Sequence, residues 1–193
     1  MASVIDAIRG VLRPGVYDER ALILRETDPK SRCPEIKLNK SGKALMVRPD
    51  QVPAVEMSAV DRLFPLFDIT KPGLCQLCDY LVFYSPPVVS DETSELFVFL
   101  FELKSGSAKG AVGQLRQGKL LADYVLTVAR LHGGIEWPRV NYRGVTFVGD
   151  APRPRIVARY HAEFDWLEDS RLEGLRICHG RPLPAHSLDA LCL

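Results

Sequence analysis

Hydrophobic residues follow three patterns along the chain. Behind Ser3, a residue that caps helices, Val4, Ile5, Ala7, Ile8, Val11 and Leu12 recur every three or four positions until Pro14-Gly15 closes the run, which predicts a short N-terminal helix. The second pattern is unbroken: Tyr80-Leu81-Val82-Phe83-Tyr84 and Leu96-Phe97-Val98-Phe99-Leu100-Phe101 are apolar at every position. Runs this short, aromatic and branched belong to strands buried on both faces. Their connection through Ser85-Pro86-Pro87, Asp91, Glu92 and Thr93 predicts a hairpin. The third pattern returns to helical spacing, with Val112, Leu115, Ala122, Val125 and Ala129 inside a helix from Ala108 to Leu131 that Gly133-Gly134 stops.

Weaker signals surround these three. Pro53 suits the first turn of a helix from Ala54 to Phe64 that buries Val55, Ala59, Val60 and Leu63. The stretch from Asp28 to Pro53 is rich in Pro, Gly, Ser, Lys and Asn, so loops are expected there, with at most a short strand at Ala44-Leu45-Met46-Val47. Gly144 to Val148 and Leu175 to Cys178 read as two more strands. The order helix, strand, strand, helix, strand and a last strand gives an α/β fold, a mixed central sheet flanked by helices. A single domain is expected over residues 1–193, with its core at about 54–148, a helix and loop region at 1–53 and a strand-containing extension at 149–193.

Composition narrows the class. At 193 residues and 47% hydrophobic the chain closes a core by itself, and no apolar run approaches the roughly 18 residues of a membrane span. The N-terminus lacks a basic segment followed by an apolar one, and the five cysteines are odd in number and follow no disulfide-framework spacing. A soluble protein of the reducing cytoplasm is expected. A formal net charge of +1 excludes the large basic excess of many nucleic-acid binders, so local charge matters more. From Lys104 to Lys119 the ionisable residues are Lys104, Lys109, Arg116 and Lys119, without an acid, just after Glu95 and Glu102. Such a segment either holds a polyanion against a metal or is a solvated helix face.

The chemistry enters where charge interrupts the apolar strands. Asp79 opens the first run, and Glu102-Leu103-Lys104 closes the second. Alternation puts Glu102 and Lys104 on one face and Leu103 in the core. An antiparallel pairing brings Asp79 near Glu102, so two carboxylates and an ammonium meet at one sheet rim; the plainer alternative is charge that only solvates strand ends. With the main-chain carbonyl of Leu103, the two carboxylates form a hard-oxygen half-shell that suits Mg²⁺, with Mn²⁺ as a substitute. A cation there polarises a phosphoryl oxygen and acidifies a bound water, while Lys104 stabilises developing negative charge.

Asp79, then Glu102-x-Lys104 at the end of an apolar strand, then a helix bearing Gln114, resembles the PD-(D/E)xK nuclease superfamily over about Ala54 to Val148. The resemblance implies a restriction-endonuclease-like α-β-β-α-β core. It implies that Asp79 and Glu102 are metal ligands, that Lys104 is the catalytic lysine, and that Gln114 supports them. Glu56 on the preceding helix would be the extra acid, with Asp61 as the second candidate. Cys78 stands in place of the signature's proline, and neither Gln114 nor Gln117 has a tyrosine four residues later. The activity implied is a Mg²⁺-dependent endo- or exonuclease acting on nucleic acid, DNA ahead of RNA, in prokaryotic defence or DNA processing, with a homodimer or larger protein partner.

Other readings stand beside this one. The small size and modest charge also fit a nuclease-like module that binds nucleic acid or a protein without cutting. Cys75-Gln76-Leu77-Cys78 has the spacing of half a zinc site, for which Cys178-His179 would be the nearest further ligands by type. Ser105-Gly106-Ser107 forms a candidate anion-binding turn. Trp137, Tyr142, Arg143, Arg153, Arg155, Arg159 and Tyr160 interleave aromatic rings with guanidinium groups, a candidate substrate surface.

Overall fold

A computed structural model describes residues 3–26, 31, 33–49, 76–87, 94–149, 166–180 and 182–193. The two apolar runs form β5 (Tyr80–Ser85) and β6 (Glu95–Lys104), which pair antiparallel with Tyr80 opposite Phe101. Both are buried on both faces, as their unbroken hydrophobicity requires. Helix α2 (Ala111–Gly133) then carries the chain back, so that β7 (Arg139–Val148) lies parallel to β6. Gly134 ends α2 with a φ of 58°, a left-handed conformation in which glycine carries no Cβ penalty.

The sheet extends both ways from this pair. β4 (Lys43–Val47) joins β5 antiparallel, with β1 (Tyr17–Asp18) beyond it; β9 (Leu175–Gly180) joins β7 in parallel, with β8 (Leu167–Glu168) beyond it. Among the described residues this makes seven strands in the order β1-β4-β5-β6-β7-β9-β8. α1 (Val4–Val11) and α2 cover one face, where Ile5, Ile8, Leu115, Ala122 and Leu126 pack on Leu81, Phe83, Val98 and Leu100. The other face carries a second sheet, in which β3 (Ile36–Asn39) lies between β2 (Ile23–Leu24) and β10 (Ala185–Ser187), together with α3 (Leu188–Cys192). Beneath them Phe97, Phe99, Phe101 and Phe147 stack in sequence at centroid spacings of 6.1, 5.9 and 5.9 Å. Each such buried ring contributes about 1.5–3 kcal/mol of hydrophobic stabilisation.

The α/β class and the mixed sheet follow the expectation. Ser3 caps α1 in a capping box with Asp6, and α2 begins three residues later than the spacing predicted. The predicted helix from Ala54 to Phe64 lies outside the described residues. The short strand expected at Ala44 to Val47 is β4, paired on both sides, with β1 and β5, whereas the expectation of loops elsewhere between Asp28 and Pro53 needs correction, since β3 also lies there. The four β4 residues Ala44 to Val47 are all buried, and burial outweighs the loop-like composition around them. β7 also starts five residues before the expected Gly144. No helix among the described residues is long and apolar enough to cross a membrane.

The C-terminal helix is fastened by one carboxylate. Asp189 accepts hydrogen bonds from Ser41 Oγ at 2.6 Å, from the Ser41 N–H at 3.2 Å and from the Tyr84 hydroxyl. Burial pushes this carboxyl up, but the Ser41 and Tyr84 bonds outweigh it and hold Asp189 below its ordinary value of 3.8. Its contribution to stability is therefore complete above 3.8 and is lost as pH falls through the depressed value. Asp189→Asn is expected to lower stability at pH 7 by about 1–3 kcal/mol. The difference from wild type should shrink below pH 4 in urea titrations; a constant difference would show that the ionised form plays no part.

Candidate active site

The site sits where β5 begins and β6 ends. The antiparallel register that sets Tyr80 opposite Phe101 brings Asp79 opposite Glu102. The Asp79 N–H donates to Glu102 Oε2 at 3.3 Å, and the Leu103 N–H donates to Asp79 Oδ2 at 2.7 Å. Lys104, two residues on and facing the same side, places Nζ 2.5 Å from Glu102 Oε1. The first turn of α2 completes the group: Gln114 Oε1 accepts from Lys104 Nζ at 2.7 Å, and Gln114 Nε2 donates to the Leu77 carbonyl at 3.2 Å. Asp79, Glu102, Lys104 and Gln114, picked from the sequence alone, thus form one hydrogen-bonded chain. Leu103 contributes its N–H to that chain.

Burial decides the electrostatics. Glu102 is 1% exposed, so it is no solvated strand end. Desolvation raises its pKa, and the hydrogen bond and charge of Lys104 pull it back only in part. A further negative charge adds to the rise: Glu26, which no sequence pattern marked, lies close enough to raise both Glu102 and Cys33. Tyr80 brings it there, since its hydroxyl donates to the Arg25 carbonyl at 2.7 Å and accepts from the Arg25 N–H at 2.6 Å. Ser105 Oγ, donating to Ser31 Oγ at 2.9 Å, ties the same segment to the end of β6. Beside the carboxylates the Cys78 thiol is driven well up, first by burial and then by Glu102 and Asp79.

The other residues singled out by their type and spacing either lie outside the described residues or stand elsewhere in the fold. Glu56, Asp61, Cys75, Arg153, Arg155, Arg159 and Tyr160 lie outside the described residues. The basic stretch after Lys104 is no open cradle for a polyanion: Arg116 is paired with Asp169 at 2.8 Å and Lys119 with Asp123 at 2.8 Å, which leaves Lys109 exposed. The expected aromatic and basic surface is likewise internal where it is described. The Tyr142 hydroxyl donates to Asp123, and the buried Arg143 guanidinium lies between Phe97 and Trp166 at 5.6 and 5.3 Å from their centroids. Cys78 and Cys178 belong to the cores on opposite faces of the sheet, so they do not converge on a shared zinc ion.

Among the described residues no three His, Cys, Asp or Glu side chains form a group that could hold a metal ion. The candidate donor set is the carboxylates of Asp79 and Glu102, each accepting a main-chain N–H from the other's side of the strand pair. It fits Mg²⁺ in kind, because that ion is commonly held by one or two carboxylates and otherwise by waters and substrate phosphate. No family model, curated protein or solved structure matches this chain.

Proposed function

We propose that the chain is a Mg²⁺-dependent nuclease that hydrolyses phosphodiester bonds of nucleic acid, DNA ahead of RNA, on a restriction-endonuclease-like core. The observation that carries this reading is the continuous contact of Asp79, Glu102, Lys104 and Gln114 at the end of a buried strand. The described order β5, β6, α2, β7, with β5 antiparallel and β7 parallel to β6, supports it as well.

In this mechanism Asp79 and Glu102 would hold the cation, with Glu56 and the Leu103 carbonyl as the further ligands that the resemblance and the sequence assign. A divalent cation so held supplies Lewis-acid polarisation of the phosphate and lowers the pKa of water. The chain's own part is orientation. Gln114, anchored on the Leu77 carbonyl, fixes the Lys104 ammonium beside Glu102, where it neutralises charge that develops on the phosphate oxygens. The test is incubation of the purified protein with linear, circular and single-stranded DNA and with RNA, in Mg²⁺, Mn²⁺ or chelator. Cleavage that needs the metal supports the reading, and none on any substrate overturns it.

The chain's small size of 193 residues and modest formal net charge of +1 favour a second reading, a nuclease-like module that binds without cutting. Thermal unfolding separates the two. A nuclease should be stabilised by Mg²⁺, and Asp79→Asn should abolish that gain; the binding module should show no gain at all.

A further inference from the structure

The register of the sheet sets another polar pair beside this site. β6, β7 and β9 run parallel, with Glu102 level with Thr146 and Thr146 level with His179. All three are on the face that α2 covers. Lys104, two positions from Glu102, reaches Gln114 of α2; Tyr142, four from Thr146, reaches Asp123 of α2; and Ile177, two from His179, belongs to the core under α1 and α2. At about 4.8 Å per strand, His179 stands about 10 Å from Glu102 across the sheet.

Thr146 is fully buried, yet its hydroxyl has no hydrogen-bond partner among the described residues. A valine would fill that place without leaving a polar group unsatisfied, so the hydroxyl calls for an explanation. His179 is exposed and has no hydrogen-bond or ionic partner among the described residues. The two residues are level on parallel strands about 4.8 Å apart, and neither side chain bonds the other in this structure, so the pair is open to a ligand.

We infer that His179 binds a phosphate of the nucleic-acid strand away from the scissile one, and that Thr146 is its positioning residue. In the bound state the Thr146 hydroxyl, unpartnered among the described residues in this structure, takes one ring nitrogen and so fixes the tautomer, and the other ring nitrogen, carrying the proton, donates to a phosphate oxygen. An offset of about 10 Å corresponds to about three nucleotides at 3.4 Å per nucleotide. The inference takes its substrate class from the nuclease reading, but it is tested by binding alone.

Fluorescence anisotropy of a labelled DNA oligonucleotide, measured in chelator so that nothing is cut, gives the affinity of wild type, His179→Ala, Thr146→Val and Thr146→Ser. His179→Ala and Thr146→Val are each expected to weaken binding about tenfold, the scale of one hydrogen bond to a charged group. Thr146→Ser should restore it, and Thr146→Val should unfold at the wild-type temperature or above. Where the protein cleaves, His179→Ala should raise KM and leave kcat within about twofold, since it removes binding only. Unchanged affinity in His179→Ala, or no binding by wild type, overturns the inference; unchanged affinity in Thr146→Val alone overturns the positioning role. Metal-dependent cleavage with affinity independent of His179 leaves the nuclease reading standing without this inference. Binding that depends on His179 in a protein that never cleaves does the reverse.

Discussion

Glu102→Gln is expected to slow phosphodiester cleavage about a thousandfold or more, and Lys104→Ala about a hundredfold to a thousandfold, while both variants remain folded. A carboxylate that holds the cation controls several kcal/mol of transition-state stabilisation, and each 1.36 kcal/mol is one decade in rate. Glu102 also fixes the Lys104 ammonium 2.5 Å away, so its amide variant loses a ligand and a lysine anchor together. Lys104→Ala leaves the carboxylates in place and removes only the positive charge. Gln114→Ala touches neither the carboxylates nor the charge, and it should cost about tenfold by freeing the lysine to wander. Single-turnover cleavage at saturating Mg²⁺, with thermal unfolding to check the fold, measures all three. Glu102→Gln cutting at the wild-type rate would remove the site from the chemistry altogether.

What the sequence made legible here was local. The β5–β6 hairpin could be read because its residues are apolar at every position, and the site because Asp79 and Lys104 bracket those runs at fixed strand offsets. Gln114 came only from the resemblance to the PD-(D/E)xK pattern, since a glutamine on an amphipathic helix carries no signal of its own. β3 carries a clean alternation, Ile36 and Leu38 buried against Lys37 and Asn39 exposed, but four residues amid prolines, lysines and glycine give too little periodicity to stand out. β1, β2 and β8 have two residues each and no period at all. The pairing of Lys119 with Asp123 follows from helical spacing, whereas the Arg116 partner is 53 residues away. Arg143 looked like surface because of its type; its burial follows only once β7 is known to begin at Arg139. Glu26 had no local signal, because the Tyr80 hydroxyl that anchors its neighbour lies 55 residues downstream.

Gly118→Ala is expected to lose about 2–3 kcal/mol, although alanine is the better helix former by about 1 kcal/mol. A Cβ built on Gly118 would stand 2.4 Å from Cys78 Sγ, and the next nearest atoms, Cys78 Cβ and Leu100 Cδ2, would both be at 3.5 Å, an ordinary contact. The sulfur alone therefore decides the clash. It has little room to yield, since Cys78 is 1% exposed and its thiol points at the Tyr80 carbonyl at 3.5 Å. Cys78→Ala by itself should cost about 1–2 kcal/mol for the small cavity it leaves. The double variant should be about as stable as Cys78→Ala, a coupling of about 2 kcal/mol that urea unfolding of the four proteins can read. Activity should follow the same cycle. Cys78 precedes Asp79 and Gln114 lies one turn before Gly118, so the single glycine variant pushes α2 away from the carboxylates and the double variant lets it return. Additive losses across the cycle would mean that helix and strand do not meet through this sulfur, and the positioning of Lys104 by Gln114 would lose its structural basis.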